Sequence, residues 1–354
     1  MTLPGYEAQR VEDMWWAFST KKQKDYDDVL ENTDITLMHP IREASIAEIT
    51  REIRSDKEAY GKGHEFTTAM WEVARDVRFS RTLDGSSTIL GWALAFALGK
   101  VVTTQPNPVG AANTYLHTMT FFSPVTEATA QLPVTSVVEY VSAGIERLLY
   151  ALAVGSVTIS AEGFEQLSVA IEMIGSGMTA TNTMVKPSMP TLAYLSSNAA
   201  IIKMGDSSED ISTRIRSWQV AINNNPREAR GYFPGSGLYR GRMEIGSRSI
   251  LPSFVLDVAA DDDLLADFLA GTEVALDLRC DGDFTEGTTY KHYLRIRIPS
   301  AKYRALPIEE SDGIFTYAVT FDEESVIYDA NDTPNPICTV EVQNKIGSYL
   351  VEGS

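Results

Sequence analysis

Apolar and polar residues alternate along several stretches of the chain. Val157 and Ile159 oppose Ser156, Thr158 and Ser160, while Leu167, Val169, Ile171 and Met173 oppose Gln166, Ser168, Ala170 and Glu172. Trp218, Val220 and Ile222 alternate with Gln219, Ala221 and Asn223, and Leu294, Ile296 and Ile298 with Arg295 and Arg297. A period of two predicts β-strands with one buried face, and here the other face is often small and polar. Ile314 to Phe321 and Ile337 to Val342 supply further strands. One stretch breaks the rule. From Ser86 to Leu98 the chain predicts a helix, capped by Ser86 or Ser87 and stopped by Gly99, with Ile89, Leu90, Ala93, Leu94 and Ala97 on one stripe. Trp92 and Phe96 lie off that stripe, so the helix is apolar on more than one side.

The order strand, capped helix, glycine, strand, loop, strand occurs twice. It runs from Trp71–Phe79 through the helix to Tyr115–Phe122, and again from Phe254–Val258 through Asp261–Ala270, Gly271 and Thr272–Leu278 to Tyr290–Ile298. Each copy ends on a Tyr-x-His strand, with His117 and His292 in equivalent places. Such self-similarity predicts a duplication. The expected fold is mainly β, a duplicated pair of β-sandwich or barrel-like units, each with a short flanking α-helix, preceded by an N-terminal arm. The boundaries are an arm and charged loop over 1–68, a first unit over 69–180, a linker over 181–211, a second unit over 212–345 and a tail over 346–354.

The arm mixes charges of both signs with few large apolar residues, so it can bury little of its own surface. Trp15 and Trp16 are its candidate anchors on a neighbouring subunit. From Gly85 to Thr126 the single formally charged residue is Lys100, which predicts core or protein interface and adds Trp92 and Phe96 to the candidate anchors.

Composition narrows the function. With 44% apolar and 22% charged residues the 354-residue chain is ordinary for a soluble globular protein. Its net charge of −18 argues against a protein that grips nucleic acid, since that needs Lys and Arg on the phosphates. The longest uncharged apolar run, Ile89 to Gly99, is about half of what spans a bilayer, so no membrane span is expected. Cys280 and Cys338 lack CxxC spacing and predict free thiols rather than a metal site. No nucleophile, metal or cofactor motif stands out, and the paired histidines suggest hydrogen bonding across a strand pair. The expectation is a non-enzyme without cofactor, built for assembly.

The order of blocks resembles the phage tail tube proteins (major tail proteins) of long non-contractile tails, in their two-domain form. The carriers are Lys21-Lys-Gln-Lys-Asp-Tyr-Asp27, Ile49-Thr-Arg-Glu-Ile-Arg-Ser-Asp56, Gly61-Lys-Gly-His-Glu65, Ala74-Arg-Asp-Val77, Leu90-Gly-Trp-Ala-Leu94 and the Trp218 strand with its Asn-rich turn. The resemblance covers about Trp16 to Val342 and implies packed β-sheets with a flanking helix, rings of subunits around a DNA-conducting lumen, and rings stacked into a tail. It implies no catalytic residues. It also implies a virion protein assembled in the bacterial host cytoplasm, with itself, the tape-measure protein, the tail tip and the tail terminator as partners. Two units per chain let three chains build a pseudo-hexameric ring. Alternation offers Glu172, Glu273 and Asp277 as candidate lumen-lining acids; the same residues could instead face solvent outside the tube or pair with neighbouring bases. The competing reading is a duplicated β-sandwich enzyme or ligand-binding protein.

Overall fold

The structure is a computed structural model. It describes residues 14–41, 46–55, 67, 69–122, 131–142, 145–175, 177–180, 186–205, 209–227, 240–259, 263–311, 313–322 and 337–353. The first part of the chain forms β1 (Trp15–Phe18), β2 (Leu37–Met38), β3 (Glu48–Ser55), β4 (Met70–Asp84), helix α1 (Ser87–Leu98), β5 (Gly99–Thr104), β6 (Tyr115–Phe121), β7 (Val134–Ser142), β8 (Ile145–Glu162), β9 (Ser168–Gly175) and β10 (Gly177–Ala180). Then come β11 (Ala200–Met204), β12 (Glu209–Asp210), β13 (Ile215–Asn223), β14 (Ser249–Asp257), helix α2 (Leu264–Ala270), β15 (Glu273–Glu286), β16 (Tyr290–Ala305), β17 (Ile308–Ser311), β18 (Ile314–Phe321) and β19 (Thr339–Asn344). The chain is mainly β, as its alternation predicts.

Among the described residues the pairings between these strands are all antiparallel and fall into two layers. In sheet A the strands run β3-β4-β9-β8-β13-β14-β18-β17, with β7, β1 and β2 continuing from the N-terminal half of β8 and β10 on its other side. In sheet B the order is β12-β11-β15-β16-β19-β6-β5. The end of β16 leaves sheet B and pairs with β18, which ties the layers together. β11 lies within the stretch expected to be a linker.

The two repeats share both layers. Sheet A crosses from one to the other where β8 pairs with β13, from Ser156↔Asn223 to Glu162↔Ser217. Sheet B crosses where β6 pairs with β19, from Tyr115↔Asn344 to Thr120↔Thr339. A single large hydrophobic cluster contains side chains of both repeats.

α1 sits at this seam. Ser86 Oγ accepts from the Ile89 N–H at 3.3 Å, and Gly99, at φ 83°, ends the helix in the left-handed region that glycine tolerates. β8 packs on one side of it and β5, β6, β16 and β19 on the other. A helix enclosed by two sheets has no wet face, which accounts for its apolar character all round. The segment after β19 closes the arrangement: Tyr349 is buried beside Gly91, and Leu350 to Gly353 hydrogen-bond with Thr20 and Lys22.

Candidate functional site

The outward faces of the two sheets differ in chemistry. On sheet A, cross-strand rows run Ser80–Glu172–Ser156–Asn223, Thr82–Ala170–Thr158–Ala221 and Asp84–Ser168–Ser160–Gln219–Ser253–Thr320. The opposite parity, including Val157, Ile159, Val169, Ile171, Val220 and Val319, is buried in the core. These rows hold two acids and no lysine or arginine. Glu172 accepts a hydrogen bond from Ser156 Oγ at 3.1 Å. A shallow depression in this face is lined by Ser160, Glu162, Ser217, Gln219, Ser253 and Thr320 among others.

Sheet B presents an ion-pair ladder. Arg295 holds Asp277 in a two-pronged contact at 2.8 and 2.6 Å, and that carboxylate keeps the guanidinium pKa above its usual range. Glu341 pairs with Arg297 and lies 3.9 Å from Arg295. Arg279 pairs with Asp281 at 2.7 Å and covers the Tyr293 ring. Glu273 accepts from Ser300 at 2.7 Å and pairs with Lys302 at 3.2 Å; these bonds lower its pKa. The three acids expected at the lumen are thus divided between opposite faces, with Glu172 on sheet A and Glu273 and Asp277 on sheet B, each of the latter two paired with a base.

The lateral and terminal edges are the other candidate surfaces. β3 and β17 end the eight-strand run of sheet A. Beyond the register Val77↔Gly175, the rest of β4 continues with β3 as an exposed ribbon, on which Ile53, Met70 and Trp71 face water. A two-stranded ribbon is marginal alone, so one extending past the sandwich points to a neighbour. Ile308 is exposed on β17, and Leu265 and Leu269 on α2.

A family model for phage tail tube proteins matches residues 76–322, which runs from β4 to just past β18 and takes in both repeats as one unit. The chain belongs to the phage tail tube protein family. No curated protein matches it. As a tail tube protein it is a structural component of a phage virion tail that self-assembles into a tube. Among the described residues no helix is long and apolar enough to cross a membrane, and no group of acids, histidines or cysteines is arranged to hold a metal ion.

Within this tail tube protein the four expected aromatic anchors are core residues. Trp16, Trp92 and Phe96 are fully buried and Trp15 nearly so. Adjacent residues of a strand point to opposite faces, so Trp16 stacks on Phe18 in the main core while Trp15 stacks on Tyr140 in a smaller cluster with Leu30 and Ile35. The pairing of β1 with β7 that puts them there correlates residues more than a hundred positions apart, which local pattern cannot show. Other parts of the expected arm form β2 and β3, which join sheet A, while 1–13, 42–45, 56–66 and 68 lie outside the described residues.

The paired histidines meet at the seam. His117 faces Thr103 Oγ1 at 2.9 Å across the β5–β6 pair, and its other nitrogen faces Asn344 Oδ1 at 3.2 Å. Asn344 Nδ2 donates to the Ser87 carbonyl at 3.0 Å and to Tyr349 Oη at 2.9 Å, and Ser87 Oγ meets His292 at 2.8 Å. One buried network therefore joins α1, β6, β16 and β19. Burial lowers the pKa of both imidazoles, that of His117 to about 4. Elsewhere Glu139, fully buried, binds both Arg81 and Arg147. Cys280 and Cys338 are buried free thiols whose pKa is pushed up to about 12 by burial.

Proposed function

We propose that three chains close into a ring by extending sheet A edge to edge, and that the outward face of sheet A becomes the wall of the DNA channel. The observation that carries this is the contrast between the two faces. DNA carries one negative charge per roughly 1.7 Å of axis, so a wall repeating Lys or Arg at every ring would gather phosphate contacts along the whole tail. The central rows of sheet A offer Ser, Thr, Ala, Asn, Gln and the acids Asp84 and Glu172, with the exposed Arg78 on the same face only toward the ribbon end; the face of sheet B is lined with arginines. Glu172 is then a lumen acid, whereas Glu273 and Asp277 belong to the outside of the tube.

The order of sheet A supports the closure. The four strands β3-β4-β9-β8 are followed by β13-β14-β18-β17, so β8 meets β13 inside the chain as β17 would meet β3 of the next. Three such sheets bring about 24 strands, which at about 4.8 Å spacing and about 40° tilt enclose a cylinder roughly 48 Å across at the backbone. That leaves room for a DNA duplex inside the side chains. In this reading the tube is capped by tip and terminator proteins, grows around a tape-measure protein, and conducts DNA at ejection.

The test compares phage carrying Thr158→Lys on sheet A with phage carrying Thr118→Lys on sheet B. Both variants should build tails, and Thr158→Lys alone should slow DNA release, with the defect easing as salt rises. Slowed release from Thr118→Lys, with normal release from Thr158→Lys, would reverse the assignment of faces. Six chains per ring in a tail reconstruction would remove the argument from duplication.

A further inference from the structure

The β8–β9 and β17–β18 hairpins occupy corresponding places in the two halves of sheet A, and each carries a left-handed glycine and an exposed phenylalanine, Phe164 in the first turn and Phe315 on the opening residues of β18 after the second. Gly163 (φ 54°) and Gly313 (φ 78°) adopt the left-handed region, and each is followed within two residues by an exposed phenylalanine. Phe164 is 82% exposed and Phe315 62% exposed, with Ile314 beside it. The registers Glu162↔Ser217, Val255↔Ala318 and Asp257↔Thr316 put both turns at one end of the sheet. The β3–β4 ribbon with Ile53, Met70 and Trp71 projects from the other end.

Both turns are tethered. Gly163 N–H donates to the Arg216 carbonyl at 2.6 Å, and the Phe315 carbonyl accepts from Val258 N–H at 3.0 Å. The aromatic rings are therefore projected from fixed backbone and contribute little to the chain's own core. One exposed phenylalanine on a hairpin is ordinary. Two, on corresponding hairpins of the two halves and at the same end of the sheet, are a feature that both repeats supply.

We infer that Phe164 and Phe315 are the axial docking knobs of the tube, seating against the ribbon end of chains in the adjoining ring. This rests on the ring reading above and adds the surface by which rings stack. Three chains would present six near-equivalent knobs on one rim, and a rim that differs from its opposite gives head-to-tail contacts that propagate without closing. The occupant is a second copy of this chain, since the ribbon supplies an exposed apolar counterpart at the opposite end.

The experiment uses the full chain with Phe164→Ser, Phe315→Ser and the double substitution, each checked for unchanged thermal unfolding, and a Phe164→Leu/Phe315→Leu pair that keeps apolar knobs. Ring formation is read by native mass spectrometry and tube formation by electron microscopy. The expected result is rings that stack poorly, with the concentration needed for tubes raised about tenfold or more in the double serine variant, and near-normal tubes for the leucine pair. Normal tubes from the double serine variant overturn the inference and leave the ring reading intact. Loss of rings in any serine variant also overturns it, because the residues would then be lateral contacts. Wild-type tails whose rings do not close through β17 and β3 of sheet A refute the ring reading itself, and this inference with it.

Discussion

Acid should loosen the seam between the repeats before it reaches most carboxylates. His117 is fully buried, satisfied as the neutral imidazole by Thr103 and Asn344, and its pKa falls from an ordinary 6.5 to about 4 because burial disfavours the cation. The unfolded chain therefore takes up the proton first. The stabilisation from the neutral ring is complete above about pH 6.5 and is lost as pH falls toward 4. At 1.36 kcal/mol per pKa unit, the loss between pH 7 and pH 5 is about 2 kcal/mol from this residue, and His292, shifted the same way, adds to it. The assay is urea unfolding of dilute, unassembled protein at both pH values, for wild type and His117→Gln. Glutamine keeps a donor for Asn344 and does not titrate. The wild type should lose about 2 kcal/mol more than the variant over this interval. Equal losses would show that His117 is not the group being protonated, and the seam argument would fall.

Gly91→Ala should destabilise the chain even though alanine is the better helix former, because the new Cβ would lie 2.5 Å from Tyr349 Oη and 3.0 Å from Asn344 Nδ2; overpacking of this kind costs about 1–3 kcal/mol, and an unchanged or raised Tm would contradict it. Trp16→Ala should lower the stability of the unassembled chain by about 3–5 kcal/mol, as expected for a buried ring packed on Phe18, Phe79 and Trp92. A variant with normal Tm and impaired tube growth would instead restore the anchor role read from the sequence.

Local signals in the sequence were reliable where the physics is local. The period-two stretches became β8, β9, β13 and β16, and the cap of α1 formed at Ser86, because alternation and caps depend on neighbours a few residues apart. α2 begins at Leu264, and its cap residue Asp263 makes no side-chain cap bond. Contacts between distant segments were invisible. Nothing near Trp15 and Trp16 announces β7, so two core residues looked like exposed anchors. Parity alone could show that Glu172, Glu273 and Asp277 point away from the core, but not which sheet each belongs to. The pairing of Asp277 with Arg295 needed the hairpin register. The repeat was legible from its Tyr-x-His strands, whereas the fusion of its halves was not.

That fusion limits how the molecule can be taken apart. Cutting between the repeats would strip β13 from β8 and β19 from β6, leaving two strand edges with unsatisfied amides and carbonyls. It would also strip β16 and β19 from α1, wetting a helix made of Ile, Leu, Trp, Ala and Phe. Either half expressed alone would carry the adhesive surfaces of a partly folded protein. Cargo display or circular permutation should therefore start from exposed turns such as Gly287 and leave the junction between repeats uncut.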